Sequence, residues 1–281
     1  MDMTERSPVL YVVPTPLGNL ADISQRSLEV LRAVPWIATE DTRHSAPLLK
    51  HFGATGRMLP AHQHNEHEAA GRIVEKLAAG DSVALISDAG TPGISDPGAR
   101  VVAAVRAAGF RVVPLPGACA AVTALSAAGL VDERFLFVGF LPAKAGQRRQ
   151  AIAELVGVQA ALVFYEAPHR IIETVEDLAA GLGERTLIIA RELTKLFESI
   201  HACPLPEALE WLRADVHRQK GEFVLLVSGA SATTDDGEAV RVLKLLLDEG
   251  LSVKQAARLA AAISGAAKND LYRCALALRG D

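Results

Sequence analysis

Short apolar runs alternate with amphipathic segments through the first half of the chain, and the most sharply bounded run is Val83-Ala84-Leu85-Ile86. A continuous apolar stretch of that length reads as a buried strand, and its alternation with helical segments points to a parallel α/β sheet, not an all-helical or all-β fold. The run ends in SDAGTPGISDPG, where Gly90, Pro92, Gly93, Pro97 and Gly98 force tight turns and bring backbone polar groups close to any ligand above them. In open α/β sheets, ligands bind beyond the carboxyl ends of the strands. This loop is therefore expected to hold one, with Asp88 and Asp96 as acceptors for an ammonium or hydroxyl group, and with Pro97 in the first turn of the helix that follows.

The same reading places strands at 9–13, 36–39, 83–87 and 111–114, with helices at 27–34, 45–51, 66–79 and 96–108 between them. Pro114-Leu115-Pro116-Gly117 punctuates the pattern. A helix over 118–128 then opens a second α/β domain, with strands at 135–138, 161–165, 186–190 and 223–228. The polar stretch 231–237 reads as a linker, and 238–279 as helices separated by Gly250 and Gly265, with Ser252 as an N-cap. The expected organisation is two α/β domains, 1–117 and 118–230, and a small C-terminal helical unit, 238–281.

With 281 residues, half of them hydrophobic, the chain can bury a large core. No apolar run approaches the roughly 18 residues that span a bilayer, and the charged MDMTERSP start has no apolar leader, so no membrane partner and a cytoplasmic location are expected. Cys119, Cys203 and Cys274 are odd in number and far apart, which argues against a disulfide framework or a zinc site. The net charge of −4 means that an anionic partner must be met by local basic patches.

Several strand ends carry polar groups. The segment VVPTPLGN contains neither GxGxxG nor GxxxxGK[ST], so nucleotide phosphates are not the expected ligand. Glu40 to His44 (EDTRH) reads either as cleft groups or as a helix cap. In FYEAPHR, Tyr165 is placed to stack on a base or adenine, and His169 and Arg170 to hold an anionic group before a helix starting near Pro168. In ARELTK, Lys195 is a candidate for binding phosphate or activating a hydroxyl. Lys144, Arg148 and Arg149 form an acid-free basic patch in LPAKAGQRRQ, which reads either as a phosphate-binding loop or as a plain solvated one, and the helical tail adds mild basicity. His62, His64 and His67 fit no metal-protease spacing, and no metal is expected.

In this order, VVPTPLGNLADISQRSLEVL, ATEDTRHS, LISDAGTPGISDPG, PLPGACAAVTAL, FVGFLP, FYEAPHRI, ARELTKLFE and KGEFVLLV resemble the tetrapyrrole methylase superfamily of S-adenosylmethionine-dependent enzymes. Within it they resemble the ribosomal RNA small-subunit methyltransferase I family, over nearly the whole chain. The resemblance implies a two-domain tetrapyrrole methylase fold clasping S-adenosylmethionine, a homodimer, and 2′-O-methylation of a cytidine ribose in the decoding region of 16S rRNA. The substrate would be free rRNA or the assembled small ribosomal subunit.

Carried over by position, the resemblance assigns the cofactor to Pro14, Asp88, Gly90, Thr91, Ile94, Cys119, Ala120 and Tyr165. Cys119 departs from the small hydroxyl or alanine expected there. Glu166, His169 and Lys195 are candidates to assist the proton transfer, because a ribose hydroxyl is a poor nucleophile while protonated. Arg43, Lys144, Arg148, Arg149 and Arg170 are candidates for RNA contact. Two alternatives share the cofactor loops: a C-methyltransferase acting on a tetrapyrrole precursor, and a non-catalytic RNA-binding factor.

Overall fold

The computed structural model describes residues 7–62, 65–231 and 236–279. The chain divides into two compact units, Met1–Val156 with Ala160–Gly229, and Gly157–Gln159 with Ala230–Asp281.

The first unit contains two sheets. Strands β1 (Val9–Val12), β2 (Trp36–Thr39), β3 (Arg57–Pro60), β4 (Val83–Ile86) and β5 (Arg111–Pro114) are all parallel, in the order β3-β2-β4-β1-β5. The helices α1 (Gln25–Ala33), α2 (Thr42–His51), α3 (Glu66–Ala78) and α4 (Ala99–Ala107) cover it. Side chains alternate along β4, so that Val83 and Leu85 pack with Ile73, Leu77, Val101 and Val105 from α3 and α4, whereas Ala84 and Ile86 pack with Leu31 and Leu49 from α1 and α2. Burial on both faces is why these strands read as unbroken apolar runs.

The second sheet is mixed. After α5 (Ala120–Ala128) come β6 (Phe135–Phe140), α6 (Ala145–Ala153), β7 (Ala161–Glu166), α7 (Ile171–Leu182), β8 (Thr186–Arg191), β9 (Ser199–Pro204), α8 (Ala208–Arg213) and β10 (Phe223–Val227). The order is β6-β7-β10-β8-β9, parallel between β6 and β7 and antiparallel elsewhere. Ala121 and Ala124 of α5 pack on Val163, Ile188, Val224 and Leu226 of this sheet.

In the second unit, α9 (Asp236–Asp248), α10 (Val253–Ser264) and α11 (Lys268–Arg279) bury Leu243, Ala256, Ala257, Ala260, Leu271 and Ala275 together. Ser252 caps α10 in a reciprocal box with Gln255, and Gly265 ends that helix in the left-handed region at φ 73°.

Several boundaries differ from those expected. Helix α4 begins at Ala99, so Asp96 and Pro97 stay in the loop. Its first amides are capped from a distance, with Glu66 accepting from Gly98 N at 2.8 Å and Arg100 N at 3.0 Å. Helix α2 starts at Thr42 because Asp41 accepts from Arg43 N, which makes Asp41 an N-cap. Strands β3 and β9 are edge strands with half-exposed or alternating faces, which carry too little apolar signal to stand out. Much of the linker expected over 231–237, together with residues 1–6 and His64, lies outside the described residues.

Candidate functional site

The strand order puts β1 beside β4, so the loops leaving their carboxyl ends lie together. They are joined as a two-residue bridge: Thr15 N donates to Gly90 O and Gly90 N to Thr15 O, both at 2.9 Å. Thr15 Oγ1 also donates to Ser87 O, and Thr91 Oγ1 to Ala118 O at 2.8 Å. Gly117 packs so closely on the Pro14 ring that a Cβ there would lie 2.6 Å from Pro14 Cβ. The PTPLG, SDAGTPG and PLPGAC segments are thus one interlocked backbone surface.

Above that surface is a cavity of about 420 Å³. The first sheet supplies Leu17, Gly90, Thr91, Ile94 and Asp96, and the α5 N-terminus supplies Cys119 and Ala120. The second sheet supplies Phe140, Tyr165, Leu193, Phe223 and Val224. Gly90, Leu193, Phe223 and Val224 are buried, whereas Ile94, Phe140 and Pro168 form an exposed apolar rim. No Lys or Arg is among the described residues that line the cavity.

Backbone strain is concentrated here. Among the described residues, the non-glycine positions with positive φ are Ser95 (61°), Glu192 (52°) and Thr194 (68°). Ser95 lines the cavity, and the other two flank Leu193, which lines it. Such conformations persist where surrounding contacts impose them, and they cluster at functional sites.

The site carries uncompensated negative charge. Burial, together with the nearby Asp88 carboxylate, pushes Asp96 up to about 6 in spite of a hydrogen bond with Ser87. Glu40 is also raised, first by burial and then by the charges of Asp96 and Asp88. Burial pushes the Tyr165 phenol up as well, so it stays protonated, and its oxygen accepts from Ala121 N at 3.0 Å. A cation placed beside Asp96 would relieve the strain between these carboxylates.

Of the eight residues assigned to the cofactor, Gly90, Thr91, Ile94, Cys119, Ala120 and Tyr165 line the cavity. Pro14 lies behind it under Gly117, and Asp88 braces the wall by accepting from Asp41 N at 3.3 Å. Asp96, offered by the loop sequence as a ligand acceptor but absent from the cofactor set that the resemblance implies, lines the cavity too, whereas Phe140 and Leu193, which the sequence reading does not reach, are brought in by the second sheet.

The three candidates for assisting proton transfer fare differently. The Glu166 carboxylate is wholly enclosed and already accepts from Ala167 N at 2.8 Å and Thr174 Oγ1 at 2.6 Å, with Arg170 Nε at 3.3 Å. It lines the cavity at the end of β7, but its carboxylate oxygens are already engaged by these donors. Lys195 donates to Glu192 at 3.0 Å and Glu222 at 2.9 Å. Partial burial pulls its pKa down, but the hydrogen bonds and charges of Glu222 and Glu192 outweigh that and leave it raised, so the amine stays charged and cannot act as a base near neutrality. His169 is exposed beside Pro168 of the rim.

The basic patch is also rearranged. Residues 145–153 form α6, not a loop, and Arg148 is 2% exposed. It donates to Asp177 at 2.6 Å and Ala143 O at 3.2 Å, and pairs with Glu173 at 3.4 Å. A guanidinium enclosed in this way is not available to an RNA phosphate. Lys144 and Arg149 remain on the surface, Arg149 donating to Asp177 at 2.8 Å. The same acid holds the exposed Arg149 in its charged form above the usual range. Arg170 is mostly enclosed, donating to Leu141 O at 2.6 Å, while Arg43 is fully out in solvent. Among the described residues, no three His, Cys, Asp or Glu side chains converge as a metal site, and no helix is long and apolar enough to cross a membrane.

Residues 9–209 match the tetrapyrrole (corrin/porphyrin) methylases, and residues 233–279 match the RsmI C-terminal HTH domain. The chain is 53% identical over 274 residues to ribosomal RNA small subunit methyltransferase I of Escherichia coli O157:H7, covering 96% of each chain. It is 51% identical to the protein of that name from Pseudomonas aeruginosa, covering 96% of this chain and 98% of the other. Among solved structures, the methyltransferase CobJ superposes with a TM-score of 0.59 at 20% identity, covering 80% of this chain and 95% of that one. Uroporphyrin-III-C-methyltransferase from Thermus thermophilus does so at 0.57 and 20% identity, covering 79% and 94%. A shared α/β tetrapyrrole methylase fold, motifs in the same order and close relatives matched nearly end to end lead to one conclusion: the chain belongs to the ribosomal RNA small subunit methyltransferase I family.

Proposed function

We propose that the chain transfers a methyl group from S-adenosylmethionine to the 2′-oxygen of a cytidine ribose in the decoding region of 16S rRNA. The observation that carries the cofactor half is a largely apolar cavity at the carboxyl ends of the first sheet, with no Lys or Arg among its described lining residues, where Glu166 and Glu222 are already paired with Arg170 and Lys195 and Asp96 offers a half-buried carboxylate. That donor set suits a zwitterion with a sulfonium and an adenine and not a phosphate-bearing nucleotide. When bound, S-adenosylmethionine supplies an electrophilic methyl carbon.

Asp96 faces the cationic part of the ligand. Gly90, Thr91, Cys119 and Ala120 offer backbone polar groups, and Ile94, Tyr165 and Leu193 offer apolar surface. Cys119 is small enough to serve where a hydroxyl or alanine was expected. Asp88 acts one step removed, by fixing the Asp41 loop.

With Glu166 enclosed and Lys195 locked in its charged form, the acceleration comes chiefly from alignment of the acceptor hydroxyl, which can account for several kcal/mol of barrier. His169 is the remaining candidate to receive the proton, at the exposed rim. Lys144, Arg149 and Arg43, all exposed, are the cations we assign to RNA phosphates, with the 238–281 helices as a further RNA-binding or bracing unit. We take residues 1–117 and 118–230 as the two α/β domains that contribute the walls, and a cytoplasmic homodimer acting on rRNA or the small subunit as the working form. Calorimetry with S-adenosylmethionine tests the cofactor half: one site per chain is expected, and no binding to the folded protein would refute it.

A further inference from the structure

Phe140 is the last residue of β6 and is 53% exposed, yet its ring forms part of the cavity wall. A single solvent-facing phenyl ring is ordinary. What distinguishes this one is how firmly the surrounding chain presents it.

Phe137 and Phe140 are three residues apart, a spacing that in a regular strand would send their side chains to opposite faces. The pairing of β6 with β7 shifts between Phe137 and Gly139, and the extra residue turns both rings to the same face. Both then meet Tyr165 edge-on, at 5.1 Å and 5.7 Å between centroids. Gly139 makes the bulge possible at φ 74°, and it lies so near the strained Ser95 that an added Cβ would stand 3.0 Å from Ser95 Oγ.

Directly after the ring, Arg170 donates to Leu141 O at 2.6 Å and Pro142 O at 3.3 Å. Its pairing with the enclosed Glu166 staples this segment to the end of β7. The mostly enclosed guanidinium thus immobilises the chain that carries Phe140.

We infer that Phe140 is the platform on which the acceptor nucleobase stacks, so that an unstacked nucleotide enters between this ring and the rim while the cofactor fills the buried floor. The inference rests on the reading given under Proposed function. Proteins that act on or read single nucleotides in RNA draw the base out of its stack and lay it on an aromatic side chain. A ring already held in place spends little conformational entropy on doing so. Arg170 is then a positioning residue, acting through the Leu141 and Pro142 carbonyls.

The test uses the full-length protein, S-adenosylmethionine, and small ribosomal subunits from cells lacking the activity. Phe140→Ala is expected to raise KM for the subunit roughly five- to hundred-fold, the range for loss of one base–aromatic stack. Cofactor affinity by calorimetry should stay within about twofold. Phe140→Trp should restore KM, and Phe140→Leu should not, because the leucine side chain lacks a π face. Unchanged KM in Phe140→Ala overturns the inference, as does full rescue by Phe140→Leu. A parallel loss of cofactor affinity would place the ring on the cofactor shelf, and a changed oligomeric state by light scattering would give it to a second copy of the chain; either result also overturns it. If the wild-type protein binds no cofactor and methylates no subunit, the functional reading itself falls, whatever the variants do.

Discussion

Arg148 of α6 and Asp177 of α7 form an enclosed ion pair, with Nε to Oδ2 at 2.6 Å and side chains 2% and 6% exposed. Burial alone would raise the Asp177 carboxyl, but hydrogen bonds from Arg149 and Arg148 and their charges hold it below the usual range. Removing Arg148 leaves the buried Asp177 with only the exposed Arg149 as partner and empties the space its enclosed guanidinium fills, at a cost of up to about 3–5 kcal/mol. Arg148→Ala should therefore lower Tm by on the order of 10 °C in thermal unfolding, while Arg149→Ala should change it little. Equal stability of the two variants would contradict the structural role of Arg148.

RNA contact is assigned instead to the surface cations. Lys144→Ala with Arg149→Ala should weaken binding of the small subunit and reduce the slope of log K against log salt by about one to two. Tm should hold within a few degrees, which separates this pair from Arg148. An unchanged salt slope would remove the patch from the interface.

Asp96 gives a pH dependence with two opposite signs. Its folded-state pKa is raised to about 6 from 3.8, so its contribution to stability is fully present below about 3.8 and is lost as pH rises through about 6. Asp96→Asn should make the cofactor-free protein more stable at pH 7, by on the order of 1 kcal/mol after solvent screening, with no gain at pH 4. Cofactor binding should run the other way. Wild-type affinity should fall as the pH drops through about 6, and Asp96→Asn should bind roughly tenfold or more weakly at pH 7, without that pH dependence. Wild-type affinity in the variant would take Asp96 out of the site.

Lys195 joins Glu192, Glu222 and the loop at Gly18, where an added Cβ would lie 2.6 Å from Lys195 Cγ. Because its amine is held in the charged form, Lys195→Met should lower kcat/KM roughly tenfold and leave the shape of the pH–rate profile between about 6 and 8.5 intact. Loss of a limb of that profile would show that the amine titrates during turnover.

His169 is the exposed group whose removal should slow the transfer step itself. In His169→Ala kcat is expected to fall by roughly 10²-fold with cofactor affinity by calorimetry unchanged. A wild-type kcat would leave alignment alone to account for the rate.

Much of this was legible in the sequence because the first sheet is buried on both faces and its glycine and proline loops stand directly at strand ends. The 83–86 run, the loop that follows it and Tyr165 all take the positions read from pattern. What was not legible depends on partners distant in sequence. LPAKAGQRRQ contains no acid, so Arg148 looked free, but Glu173 and Asp177 stand one turn apart on α7 and enclose it. Lys195 looked reactive until Glu222, 27 residues away, came beside it. Phe140 could not be assigned to the rim without the bulge, because regular alternation turns it away from Phe137.

The most direct measurement is to incubate the protein with methyl-labelled S-adenosylmethionine and small ribosomal subunits from cells lacking the activity, then locate the label by nuclease digestion and mass spectrometry. One labelled cytidine in the decoding region, carrying the methyl group on its 2′-oxygen, is the expected result. Label on a base, on another nucleotide, or nowhere despite bound cofactor would contradict the assigned reaction.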